Sequence, residues 1–127
     1  MSLTELSVKV DHQYQMWIKV SRHALADGQV DCGEAREWLT WYKGRKKDVD
    51  LLKREIRLEI SGIRGLFKVR LASTPLGHKT DVRNEQTLAL APFEDLMRKM
   101  ERLSIEGERL KPTLERFVES DCQTVED

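Results

Sequence analysis

Little in this 127-residue chain invites a specialised chemistry. It holds only 2 cysteines, Cys32 and Cys122, set 90 residues apart. That spacing makes neither a disulfide framework nor a metal pair, so the expectation is two reduced thiols in a cytoplasmic protein, with a single disulfide the alternative. Net charge is absent: 22 Lys+Arg balance 22 Asp+Glu. No global field therefore draws the chain to nucleic acid or to an anionic membrane. No run approaches the roughly 20 apolar residues that cross a bilayer. Residues 1–10 lack the basic head and apolar block of a secretory signal. Proline numbers 3, aromatics are 6%, and charged residues reach 35%, which is the balance of long helices or coiled coils. The length fits one domain spanning 1–127.

Charge is uneven locally. Residues 43–72 carry a net +6 and residues 119–127 a net −4. The remaining segments are neutral or weakly acidic, so one basic stretch and one acidic tail are the only electrostatic asymmetries.

Hydrophobic spacing supplies most of the information. Over 4–25, Leu6, Val8, Val10, Tyr14, Met16, Ile18 and Val20 alternate as in a strand or hairpin. Leu3, Leu6, Val10, Tyr14 and Trp17 also recur at helical steps of three and four. The run has no Gly or Pro, and Asp11-His12-Gln13 is not a tight-turn sequence, which favours helix. Asp27-Gly28 marks a break, after which Asp31 or Gly33 could cap a helix. That helix, over 34–71, places Trp38, Tyr42, Val49, Leu52, Ile56, Ile60, Ile63 and Phe67 on one stripe. Gly62 follows Ser61 within it, a candidate kink or close-approach point. Residues 72–91 read as a connection, either a mobile loop or one hiding a short helix after Thr80 or Asp81. Pro92 suits the first turn of a last helix over 92–119. Its seam, Phe93, Leu96, Met100, Leu103, Gly107, Leu110, Leu114 and Phe117, is a strict heptad. Pro112 should kink or restart it. Residues 120–127 form a frayed acidic tail.

Several constellations stop short of a site. Residues 23–34 have the length of an EF-hand loop, with Gly28 at its sixth position and Glu34 at its twelfth. His23 and Leu25 stand where the first and third oxygen ligands belong, so no calcium site is expected. Glu34 and Glu37 make a Glu-x-x-Glu pair without the second acidic pair that metal-dependent helical hydrolases need. His12, His23 and His78 are isolated, and none stands three residues after a Glu. Gly62-Ile63-Arg64-Gly65 lies in a helical pattern with no strand before it, so it is no phosphate loop. Trp38, Trp41 and Tyr42 lie at core spacing, with Trp41 expected at the exposed margin. No catalytic residue, metal site or cofactor is assigned.

The fold class expected is all-α: a long antiparallel helical hairpin with coiled-coil character, completed to a three-helix bundle by an N-terminal helix. The function expected is a small non-enzymatic interaction module, an adaptor or assembly factor. It would present a helical groove or the hairpin tip to a partner protein and associate as a homodimer. The residues expected at that surface are Phe67, Leu71, Leu76, Leu88, Leu90 and Phe93. The alternative is nucleic-acid association through Lys43, Lys46, Lys47, Arg54, Arg57, Arg64 and Lys68. Neither reading involves a membrane.

Overall fold

The computed structural model of the chain describes residues 2–25 and 31–122. Among them are three α-helices and no strand: α1 (Leu3–Leu25), α2 (Cys32–Ala72) and α3 (Lys79–Asp121). One 3-10 turn, Leu76–His78, leads into α3. The fold class is all-α.

The N-terminal segment is a helix because its apolar residues serve one side only at that period. Leu6, Val10 and Trp17 are buried, with Leu3 and Tyr14 packed beside them. Val8, which the strand pattern would place with Leu6 and Val10, is 65% exposed. Ser2 caps the helix, its hydroxyl accepting from the Glu5 N–H at 3.2 Å. Asp31 caps α2 in the same way, accepting from the Glu34 N–H at 2.7 Å. The EF-hand-like stretch crosses residues 26–30, which lie outside the described residues.

Helix α2 has 41 residues and α3 has 43, so each is about 60 Å long at 1.5 Å per residue. They run antiparallel, and three cross-links set their register. Cys32 meets Cys122, Tyr42 meets Glu108, and Arg70 meets Glu85. Helix α1, at 23 residues, is about half as long. Its Trp17 packs on Trp41 and Tyr42, while Val8 and His12 lie beside Asp48, Leu51 and Glu55. The same slope brings Leu3 level with about Ile56, because both helices rise equally per residue. The molecule is therefore a three-helix bundle at the end holding residues 32 and 122 (the base). It is a bare two-helix hairpin at the other end, 61–93. Burial follows that division. Trp38, Val49, Ile56, Met100 and Leu103 are at most 2% exposed, whereas Ile63 and Phe67 are only partly covered.

Three expectations need correction. The connection is not residues 72–91. It is the short turn around Ser73, Thr74 and Pro75, and α3 starts at Lys79. Val82 and Leu90 are both buried, Leu90 within the core cluster that α2 shares, but the polar Gln86 interrupts the spacing between them and hides the seam. Second, Pro92 is not a helix start. Pro92 and Pro112 both lie inside the continuous α3. Each removes one backbone bond, to the Leu88 and Glu108 carbonyls, and packing of the flanking residues onto α2 holds the helix through both. Third, the cysteines are not free thiols. Cys32 and Cys122 form a disulfide across 5.6 Å between their Cα atoms. Antiparallel helices bring the first residue of α2 to the residue after α3, so separation along the chain says nothing about separation in space. The helical part also runs two residues further than expected, through Asp121 to a fully buried Cys122. Residues 123–127 of the acidic tail lie outside the described residues.

Candidate functional site

Three surfaces compete for a functional role: an aromatic base, a hairpin tip and a basic helix face. The base is built from α1 and α2. Trp38 stacks on Tyr42 with centroids 4.9 Å apart and planes 11° from parallel. Trp17 meets Tyr42 edge-on at 5.6 Å and Trp41 at 5.1 Å. Trp41 is thus a half-buried member of the cluster rather than an exposed margin. The heptad glycine, Gly107, sits where α3 crosses this cluster. A Cβ there would lie 2.8 Å from Trp17 Cζ3 and closer still to the Tyr42 ring, so only glycine lets the helices approach this far. Between α1 and α3 the cluster leaves an open groove of about 580 Å³, with Glu106 and Arg109 at its rim.

The rim of the base also carries a perturbed carboxyl. Tyr42 Oη donates to Glu108 Oε1 at 2.6 Å, and Lys46 Nζ stands 3.0 Å from the same oxygen. The Tyr42 hydrogen bond, then Lys46, hold the Glu108 carboxyl below its ordinary range. Burial first, and Glu108 second, push the Tyr42 hydroxyl up. A carboxyl whose folded pKa is depressed contributes stability above its unfolded pKa and loses it as pH falls toward the folded one. Glu108→Gln is accordingly expected to flatten the fall in stability between pH 5 and pH 3, measured by urea midpoint at each pH. An unaltered acid limb would show that the contact contributes nothing.

The tip is capped locally. Ser73 and Thr74 hydroxyls donate to the Arg70 carbonyl, and the His78 N–H donates to the Pro75 carbonyl at 2.9 Å. Arg70 pairs with Glu85 at 2.6 Å across the hairpin and lies over the Phe67 ring. On this braced end four large apolar side chains face solvent: Leu66 at 73%, Val69 at 72%, Leu76 at 86% and Leu88 at 75%. Of the residues expected there, Leu76 and Leu88 are exposed, while Phe67, Leu71 and Phe93 are half-buried between the helices. Leu90 is core, 6% exposed, and is unavailable to a partner. Leu66 and Val69 were missed because they lie off the internal seam; apolar residues in the off-seam positions of so regular a helix were the available signal.

The basic residues all lie on the outside of α2. Lys43, Lys46, Lys47, Arg54, Arg57, Arg64 and Lys68 are exposed and occupy one broad sector. Lys46 is engaged by Glu108; Lys47, Arg54, Arg57, Arg64 and Lys68 have no ion-pair partner among the described residues. No group of three or more metal-ligating side chains occurs among the described residues. None of their buried residues is charged. No described helix is long and apolar enough to cross a membrane. No known protein family, curated protein or solved structure matches the chain.

Proposed function

We propose that this chain is a non-enzymatic protein-interaction module, an adaptor or assembly factor, and that its working surface is the free end of the α2–α3 hairpin. The observation that carries this reading is the exposure of Leu76 (86%) and Leu88 (75%) on an end braced by the Arg70–Glu85 pair. Apolar side chains held open on a rigid scaffold favour an occupant, because covering them releases water at roughly 25 cal/mol per Å². The cytoplasmic placement rested on reduced thiols. Disulfides persist chiefly in oxidising compartments, so the Cys32–Cys122 bond withdraws that support, and the proposal is independent of compartment.

The test uses photo-crosslinking amino acids placed at Leu76 and, as a solvated control, at Glu101. The tip position is expected to give discrete adducts that Leu88→Asp abolishes, with melting temperature unchanged because the side chain is exposed. Adducts no stronger than those of the control position would end the reading. A second reading, nucleic-acid association through the α2 sector, is favoured by the unpaired Lys47, Arg54, Arg57, Arg64 and Lys68. It requires binding to a DNA or RNA oligonucleotide that weakens steeply with salt and is lost when Arg54 and Arg57 become alanine.

A further inference from the structure

The outer side of α2 carries a second apolar line, distinct from the buried seam. At 100° per residue, Leu51, Leu58, Gly62, Gly65 and Val69 fall within about 40° of one line along the helix, with Leu66 beside it. The structure agrees. Leu51 is 57% exposed, Leu58 63%, Leu66 73% and Val69 72%, and a Cβ added at Gly62 or Gly65 would meet nothing within 4 Å. Gly44 lies on the same line, so α2 carries three such glycines, each costing about 1 kcal/mol against alanine and none meeting another group within 4 Å of an added Cβ.

The borders of the line are oppositely charged. On one side run Lys47, Arg54, Arg57, Arg64 and Lys68, with Asp50 the lone acid. On the other run Glu37, Asp48, Glu55 and Glu59, where Arg45 already pairs with Asp48 at 3.0 Å and Lys9 lies nearby on α1, so that acids outnumber bases there. A surface split in this way complements itself in one orientation only. A two-fold axis parallel to α2 sets each basic border against the other copy's acidic border. A two-fold axis across the helix sets base against base and acid against acid.

We propose that a second copy of this chain docks on the outer face of α2, with the two α2 helices parallel. Leu51, Leu58 and Val69 then meet their own counterparts across the axis, and Gly62 and Gly65 allow the backbones to approach. The two hairpin tips emerge at the same end, leaving Leu76 and Leu88 of both copies open. This rests on the reading of the chain as an interaction module that associates as a homodimer, and assigns that association a place and a direction. The seam is one helix face wide, at the lower end of the area stable dimers bury. Its ionic borders make the dimer weaken as salt rises.

The experiment pairs light scattering with crosslinking. Native protein is expected to pass from monomer to dimer as concentration rises. Leu58→Asp is expected to raise the dimer dissociation constant by about tenfold or more, with circular dichroism unchanged because the position is exposed. Leu51→Cys, Gly62→Cys and Val69→Cys are then each treated with a short bis-maleimide, which leaves the native disulfide intact. A parallel pair gives crosslinked dimer from all three. Dimer from Gly62→Cys alone means an antiparallel pair and overturns the inference. A dimer that ignores Leu58→Asp and crosslinks at none of the three overturns it too, while self-association through another surface stands. A monomer at every concentration overturns both the inference and self-association, and leaves docking at the tip to its own test.

Discussion

Gly107→Ala is expected to lower the melting temperature, although alanine is the better helix former. The added Cβ would lie 2.8 Å from Trp17 Cζ3 and overlap the Tyr42 ring. Neither ring can swing clear, because Trp17 is 4% exposed and Tyr42 3%, and Tyr42 is further held by Glu108 at 2.6 Å. Overpacking of this kind costs about 1–3 kcal/mol. Helix propensity returns about 1 kcal/mol. The net loss should be up to about 2 kcal/mol, or up to several degrees in a chain of this size. Gly107→Val adds a β-branch to the same collision and should lose about 3 kcal/mol or more. Gly44→Ala supplies the contrast. It is an exposed helical glycine whose Cβ would meet nothing within 4 Å, so stability should rise. Thermal melts of the three variants check the argument. If Gly107→Ala melts higher than the parent, the glycine is not the point of contact between α3 and the aromatic cluster.

Breaking the disulfide should have the largest effect of any two-atom change. Cys32 and Cys122 are separated by 90 residues, and restraining so long a loop in the unfolded chain is worth at most about 4.5 kcal/mol by chain entropy. Measured bonds typically deliver about 2–4 kcal/mol. Cys32→Ser together with Cys122→Ser is therefore expected to lower the urea midpoint strongly, and reductant should do the same to the parent and nothing to the variant. The loss should concentrate at the base. Arg36 Nη2 donates to the Cys122 carbonyl at 3.3 Å, and that contact depends on the end of α3 being held against α2. Hydrogen exchange at equilibrium would show it as faster opening around residues 32–38 and 114–122, with the tip unchanged. Equal midpoints with and without reductant would mean the helices hold that end unaided.

The fold was largely legible in the sequence where one face of a helix is buried along its whole length. The stripe from Trp38 to Ile60 and the heptad from Leu96 to Leu114 became the two halves of the core. Legibility failed where the pattern is carried by few residues. Between Val82 and Leu90 the hairpin has no third helix to cover it, so polar Gln86 is tolerated in the seam and the helix resembles a linker. Pro92 misled for a related reason: a proline is a stop signal only where packing does not override its cost. The disulfide was invisible because it depends on the register of two helices, which no local spacing encodes. The heptad glycine was visible as an anomaly, but its partners were not. Trp17 and Tyr42 reach it from two different helices. Of the candidate tip residues, Leu76 and Leu88 could be read as exposed because they fall off every seam, whereas Leu90 belongs to the seam itself.

The Cys32–Cys122 bond also changes the topology of the molecule. It closes α2, the turn and α3 into a covalent ring, with α1 attached outside it as a pendant arm. The two long helices therefore cannot diffuse apart, and each sees the other at the high local concentration of a tethered pair even when the bundle opens. The arm has no such restraint beyond its single link to the ring. Loss of α1 from its groove would uncover Trp17's side of the aromatic cluster while leaving the hairpin and its tip joined. The bond thus makes α1 the one described helix that can leave its place without the other two losing each other.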